Sequence, residues 1–164
     1  MKSLKVLFTI IATSFAISSF GQCPLTLADL EKASVLSKGS FDTWALNKGY
    51  SQNPIKGDGQ FDYVQYWCDN ANSNGVKDQV GRLAGDGVKT SIGFTTSTKQ
   101  LFLNFKADLI AKGYKLQEQK EQKVGGEITA TWYYYTNGKY QVDFYSYYLP
   151  NDGITRYVMD VYKL

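Results

Sequence analysis

The chain has 164 residues, with 18 lysines and arginines against 15 aspartates and glutamates, and no histidine. This near-neutral balance disfavours a nucleic-acid-binding surface, which needs a strong positive excess on one face, and the lack of histidine excludes catalysis by an imidazole base. Thirteen tyrosines, nine phenylalanines and three tryptophans are typical of a packed domain and disfavour a disordered chain.

The first 21 residues have the pattern of a cleavable signal peptide. Two lysines precede an apolar run over residues 6–17, and small residues stand at the −3 and −1 positions of a cut before Gln22. The run is shorter than the roughly 20 apolar residues that a membrane-spanning helix needs. We therefore predict an extracytoplasmic protein, periplasmic or secreted, whose mature chain has no transmembrane segment.

A lipoprotein signal is the alternative interpretation, because Cys23 follows the apolar run closely. A lipobox has a small residue directly before its cysteine, and here that residue is Gln22. Cleavage after residue 21 removes two of the 18 basic residues and no acid, which leaves 16 against 15 and a net charge of +1.

Cys23 and Cys68 are the two cysteines of the chain, and export would place them where disulfides persist. We predict that they form one bridge. A nucleophilic thiol at Cys68 is the alternative, but it would need an activating cation beside it, and histidine, the usual one, is absent.

The 143 residues from 22 to 164 suffice for one well-buried core, so we predict a single globular domain. Thr26 is a good N-cap for a helix over residues 27–36 that ends at Lys38 and Gly39. A second short helix is expected over residues 41–48, with Gly49 as its C′ residue.

A strand is predicted over residues 61–68, a polar glycine-containing loop over residues 69–87, and a second strand over residues 88–95. Within the loop, the stretch Asn70–Asp78 imitates a calcium-binding loop in the placement of its oxygen-bearing side chains and its glycine. The acidic residue expected at the twelfth position is missing, because Gly81 stands there. The alternative interpretation is an Asn/Gly-rich turn between two strands, which has the same residue composition.

Ser97 and Gln100 have the spacing of a capping box for a helix over residues 98–112. Alternation with period 2 follows, which predicts a meander of strands over residues 114–117, 127–136, 139–149 and 154–163. Asn137-Gly138 and Asp152-Gly153 are typical hairpin turns.

The fold class expected from these elements is α+β, with helices packed on one face of an antiparallel meander sheet. Each of two helices ends in Lys-Gly-Tyr, at Tyr50 and Tyr114, which favours two degenerate helix-then-strands repeats over residues 22–95 and 96–164. The competing explanation is that both helices end in Lys-Gly-Tyr only because these residues favour a helix C-terminus. The arrangement is similar in architecture to secreted protein inhibitors of the β-lactamase-inhibitor type, but one bridge in place of one per repeat departs from it, and no family is assigned.

Two-residue turns would set Tyr135 opposite Tyr140 and Thr131 opposite Phe144 on a first face, which should pack on the helix over residues 98–112. In the second hairpin a four-residue loop would keep the same faces, whereas a three-residue loop would flip the last strand. The second face would mix aromatic rings with polar and charged groups, including Gln141 and Asp160. Such a mixture is typical of recognition surfaces, so the predicted binding residues are Trp132, Tyr134, Asp143, Tyr145, Tyr147, Arg156 and Tyr162. The alternatives are that aromatic residues are simply good strand formers, or that the N-terminal half covers this face.

The sequence contains no recognisable catalytic constellation, metal-ligand spacing or cofactor motif, and we predict no catalytic residue, metal or cofactor. The expected function is non-enzymatic binding of an unknown protein or glycan outside the cytoplasm. One rival is a carboxylate-dependent hydrolase of a polysaccharide, with acids available at Asp58, Asp62, Asp69, Asp143 and Asp160. A carrier of a small apolar ligand, which needs a cavity between sheet and helices, is the other rival.

Overall fold

The computed structural model describes Cys23 and residues 25–52, 62–71, 75–124 and 127–164. The predicted signal peptide and Asp58 lie outside these described residues. The helices are α1 (Leu27–Ala33), α2 (Lys38–Asn47) and α3 (Lys99–Ala111). The strands are β1 (Tyr50–Gln52), β2 (Asp62–Ala71), β3 (Lys77–Gly85), β4 (Val88–Thr96), β5 (Lys115–Val124), β6 (Glu127–Thr136), β7 (Tyr140–Leu149) and β8 (Ile154–Lys163).

The strands form one antiparallel sheet in the order β1-β2-β3-β4-β8-β7-β6-β5. Each run of four strands is a meander, and the two runs meet where the last strand of each pairs with the other, β4 with β8. The α+β class and the antiparallel meander are therefore confirmed. None of the helices in the described ranges is long and apolar enough to cross a membrane.

One face of the sheet, which we name the core face, carries the buried apolar side chains. A cross-strand row on it runs from Tyr66 through Val80, Phe94 and Met159 to Phe144. Helix residues belong to the same buried cluster: the rings of Phe94 and Phe105 lie 5.4 Å apart, and those of Phe102 and Phe144 lie 4.9 Å apart. The opposite face of the sheet is the second face.

The first two helices divide differently from the sequence prediction. Thr26 caps α1 as expected: its hydroxyl accepts from the Asp29 N–H at 3.2 Å, and Asp29 accepts from the Thr26 N–H at 3.0 Å. However, α1 ends at Ala33, and Ser37 caps α2. The predicted end at Gly39 was therefore wrong, because this glycine lies within the first turn of α2. Gly49, with φ +86°, ends α2 as predicted.

The prediction of a loop over residues 69–87 was wrong, because β3 occupies its centre. Asp78, Val80 and Arg82 are all buried on the core face, so the strand does alternate. Two of these three inward residues are charged, so the sequence of β3 does not show the alternation of apolar and polar residues that predicts a strand. Arg82 is compensated in part by Asp62, with Nη1 to Oδ2 at 3.3 Å.

The stretch that imitates a calcium loop forms parts of two strands, joined through residues outside the described ranges. Ala71 of β2 pairs with Lys77 of β3. Asp78, its one acidic residue, is fully buried within β3, whereas a calcium ligand would face the turn. The geometry favours a hairpin.

The C-terminal half follows the predicted order of elements. Helix α3 begins one residue later than the capping box required: its N-cap is Thr98, and no side-chain cap hydrogen bond forms. Strand β4 and the four strands of the second meander are present, and β5 extends well beyond the predicted residues 114–117.

Both registers expected from two-residue turns were wrong by two residues, and the second hairpin has the four-residue loop that was the alternative. Tyr135 pairs with Val142 instead of Tyr140, and Leu149 pairs with Ile154 across a four-residue loop. In the first hairpin the Asn137 side chain accepts from the N–H groups of Lys139 and Tyr140 at 3.0 and 2.9 Å, which stabilises a longer turn than Asn-Gly alone predicts. A shift of two residues preserves the face of every side chain.

The predicted disulfide is present between Cys23 and Cys68, whose Cα atoms lie 5.6 Å apart. Cys68 lies in β2 opposite Tyr50 of β1, so the bridge connects the segment before α1 to the edge of the sheet. The bonded sulfur also rules out the alternative of a nucleophilic thiol at Cys68.

Candidate functional site

All seven residues predicted to bind a partner lie on the second face of β6, β7 and β8. The pairing sets Trp132 opposite Tyr145 and Tyr134 opposite Asp143. It also sets Tyr147 opposite Arg156, and Gln141 opposite Tyr162. Strand alternation explains this grouping, because every second residue of a strand points to the same face.

Three of these side chains form a row of stacked rings. The centroids of Trp132 and Tyr145 lie 6.0 Å apart with 28° between the ring planes, and those of Tyr145 and Tyr147 lie 6.3 Å apart with 24°. Offset stacking of this kind is favourable for aromatic pairs. We name Trp132, Tyr145 and Tyr147 the aromatic row.

Beside the aromatic row lies a groove of about 250 Å³ on the second face. It spans β2, β3, β4, β7 and β8, so both halves of the chain contribute to its walls. Tyr63, Tyr145, Tyr162 and Asp160 line it, together with small and amide-bearing residues of the first meander. Of the seven predicted binding residues, only Tyr145 and Tyr162 line this groove.

Two glycines leave room for the larger groups over the centre of the groove. Gly81 and Gly93 face each other across β3 and β4. A Cβ atom at Gly93 would lie 2.6 Å from Oδ1 of Asp160, and one at Gly81 would lie 3.4 Å from the Tyr63 ring. Glycine in a strand interior is typical of such close approach. Gly93 lets Asp160 lie against the sheet, whereas a Cβ at Gly81 would meet the Tyr63 ring at ordinary van der Waals distance.

Asp143 and Asp160 form a pair of carboxylates on neighbouring positions of β7 and β8. Nε2 of Gln141 donates to Oδ1 of Asp143 at 2.8 Å, and the Tyr162 hydroxyl also bonds Asp143. The Tyr145 hydroxyl bonds Asp160. We name Asp143 and Asp160 the acid pair.

The electrostatics of the acid pair follow from burial and mutual repulsion. Burial, and after it the adjacent Asp143 carboxylate, raise the pKa of Asp160 to about 7, against the Tyr145 hydrogen bond, which lowers it. Burial also raises the pKa of Asp143. Burial, together with Asp160 at Tyr145 and with both acids at Tyr162, raises the pKa values of these two tyrosines above the usual range, so both hydroxyls stay protonated donors.

This arrangement can accept and donate hydrogen bonds and can attract positive charge. At neutral pH the acid pair holds its second negative charge weakly, because adjacent carboxylates repel each other. Among the described residues there is no group of three or more acidic or cysteine side chains that could hold a metal ion.

The sequence prediction missed Tyr63, Gly81, Gly93 and the role of Asp160. Asp160 was placed on the second face by its parity, but no local feature distinguished it from other acids. Gly93, inside a predicted strand, was a usable signal of close approach. Its partner Gly81 lay in the stretch predicted as a loop, so the facing pair could not be seen.

Comparison with known proteins identifies no relative: no protein family, no curated protein and no solved structure matches this chain. The functional inference therefore depends on the geometry of the second face.

Proposed function

We propose that this protein is an exported, non-enzymatic binding protein that recognises a partner outside the cytoplasm with the second face of its sheet. The observation that carries the proposal is the groove of about 250 Å³ directly beside the aromatic row. Aromatic rings supply large contact area at low cost in side-chain entropy, and the tyrosine hydroxyls add directional hydrogen bonds. The disulfide supports export, because such bonds persist in oxidising compartments.

The proposal includes the finer architecture: helices on the core face only, and a degenerate duplication over residues 22–95 and 96–164. Helices α2 and α3 each precede four strands in chain order. Each is followed by a glycine of positive φ, +86° at Gly49 and +78° at Gly113, and then by a buried tyrosine, Tyr50 or Tyr114. Helices on the core face would leave the second face available to a partner.

A capture experiment tests the proposed function. The protein, produced from its full-length sequence and purified after export, is immobilised and exposed to envelope and culture fractions. A variant carrying Trp132→Ala and Tyr145→Ala should lose the specifically retained partner, because both rings of the central stack are removed. Truncation of such central aromatic anchors commonly costs about 2 kcal/mol or more of binding free energy.

The matched control carries Leu46→Ala and Ile110→Ala. These two apolar side chains are exposed, at 55% and 62%, on α2 and α3, so the control removes accessible apolar surface away from the second face. Both variants must show wild-type circular dichroism. Equal retention of the partner by both variants would contradict the proposal.

The acid pair is the one observation that favours a second candidate, a carboxylate-dependent hydrolase of a polysaccharide. A retaining glycosidase holds its two carboxyl groups about 5–5.5 Å apart, and directly opposite residues of an antiparallel pair have Cβ atoms about 4.5–5.5 Å apart. Release of reducing ends from a polysaccharide by the wild type, and its loss in Asp143→Asn, would establish this candidate. The carrier alternative has no such support, because the described side chains between sheet and helices form the packed core.

A further inference from the structure

The acid pair has no positively charged partner among the described residues. The ion pairs found there involve Asp29, Glu31, Asp62, Glu118 and Glu121 as acids. The groups that act on Asp143 and Asp160 are each other, two tyrosine hydroxyls and the Gln141 amide. All of these partners except the opposing carboxyl are neutral, so the negative charge of the pair is uncompensated.

Apart from Asp160, the described residues that line the groove carry no formal charge. Tyr63 and Gln65 face it from β2, Gln79 from β3, and Ser91 and Thr95 from β4. The tyrosines Tyr145 of β7 and Tyr162 of β8 complete the polar lining.

Several cations at second-face positions lie outside the groove lining, among them Lys77 of β3 and Lys89 of β4, which have the same strand parity as Gln79 and Ser91. Arg156 is opposite Tyr147, two face positions along β8 from Asp160, and Lys120 is on β5 with its Nζ 5.1 Å from the Tyr134 ring centroid. None of these cations lines the groove. The negative charge of Asp160 therefore has no cation beside it among the described residues that line the groove.

The size and lining of the groove favour one long cationic side chain. A volume of about 250 Å³ corresponds to about eight water molecules at roughly 30 Å³ each, which is room for a side chain and not for a folded segment. A guanidinium group stacks on aromatic rings, is weakly hydrated and presents a fork of donors to carboxylates. A neutral sugar would leave the acid pair uncompensated.

We propose that the groove binds the guanidinium group of an arginine side chain presented by a partner protein, with Asp160 accepting its hydrogen bonds, the adjacent Asp143 adding negative charge and the tyrosine rings flanking it. This inference rests on the proposed function, because it assigns the chemistry of the partner that the second face recognises.

The test compares two short peptides that differ at one residue, arginine or citrulline, by isothermal titration calorimetry against the exported protein. Citrulline has nearly the same shape as arginine and no charge. We expect the arginine peptide to bind at least about tenfold more tightly at pH 8, because hydrogen bonds to charged groups are the stronger ones. The affinity should fall on acidification to pH 5, because Asp160 then takes up a proton.

Variants assign the effect to the acid pair. Asp160→Asn and Asp143→Asn should each lower the affinity for the arginine peptide at least about tenfold. Asp152→Asn is the matched control, since it removes the same charge from an exposed residue in the loop between β7 and β8, and it should leave the affinity unchanged. Thermal unfolding of each variant verifies that it is folded.

Other outcomes would overturn the inference. Equal affinity for the citrulline peptide would show that charge is not recognised, and equal affinity for a lysine peptide would remove the assignment to guanidinium. Free arginine amide binding as tightly as the peptide would indicate a small-molecule ligand instead of a partner protein. If neither peptide binds while the Trp132 and Tyr145 double variant still loses its captured partner, the arginine assignment fails and the proposed function stands.

Discussion

At the scale of single residues, Asp160 is the most informative position in the chain. Its carboxylate is partly buried, lies over Gly93 and faces Asp143 across the strand pair. Among the described residues it has no positively charged partner, and the Tyr145 hydrogen bond offsets only part of the effect of burial, so the folded state holds its negative charge at a cost in stability. Groups that destabilise a fold in this way are typical of functional sites, where activity and stability compete.

The pKa of Asp160 predicts a pH dependence of stability. Because burial raises the pKa to about 7 from the ordinary value of 3.8, the folded protein binds this proton more tightly than the unfolded chain does. The resulting stabilisation is complete below about pH 4 and is lost as the pH rises through about 7. Asp160→Asn should therefore be more stable than the wild type at pH 8, by roughly 2–4 kcal/mol.

Urea unfolding at pH 4, 6 and 8 measures this difference. The difference in free energy of unfolding should shrink to less than about 1 kcal/mol at pH 4, where Asp160 is protonated in the folded state and about half protonated in the unfolded chain. A variant that is less stable than the wild type at pH 8 would show that the carboxylate has a structural role, which is opposed to the role proposed here.

At the scale of elements, the N-terminal segment is held to the sheet by the disulfide more than by the hydrogen bonds of strand pairing. Strand β1 has three residues and, among the described strands, pairs with β2 alone. The bridge from Cys23 reaches Cys68 directly opposite Tyr50, the first residue of β1. Both cysteines are buried in the same hydrophobic cluster as Leu27 and Leu30 of α1 and Phe41 of α2.

Removal of the disulfide by Cys23→Ser together with Cys68→Ser should destabilise the protein. The two cysteines are separated by 45 positions, and the chain-entropy model gives about 4 kcal/mol for a closed loop of that length. We expect a lower urea midpoint, and reduction of the wild type should reproduce it. A loss below about 1 kcal/mol would contradict the chain-entropy account.

The hairpins show that the face of a side chain can be predicted correctly even where the strand register is not. Both registers expected from two-residue turns lie two residues away from the observed ones, yet each side chain of β6, β7 and β8 was assigned to the correct face. Facial assignment depends on parity alone. Register depends on turn geometry, here set by the Asn137 side chain.

At the scale of the whole molecule, the groove is a product of the junction between the two meanders. Tyr63 comes from the first meander, whereas Tyr145, Asp160 and Tyr162 come from the second. The pairing of β4 with β8 brings Gly93 beside Asp160. A ligand bound in the groove would therefore contact both halves of the chain.

Export of the whole chain can be tested directly. Expression of the full-length sequence in a bacterium with a Sec pathway should yield an extracytoplasmic protein whose N-terminal residue is Gln22, because the small residues before it match the −3 and −1 preferences of signal peptidase. N-terminal sequencing and intact mass measure this. A lipid-modified Cys23 would contradict both the predicted cleavage site and the observed disulfide.

The sequence alone excluded catalysis by an imidazole base, because it has no histidine. It also determined the order of most elements, the cysteine pairing and the set of residues that share the second face. Composition, strand parity and capping are local properties, so they can be read from neighbouring residues. Only the tertiary structure decided that β3 is a strand with charged residues inside, that Gly81 faces Gly93, and that Asp160 lies between Gly93 and Asp143. These features depend on contacts between residues far apart in the chain, and no local pattern encodes the strand order that creates them.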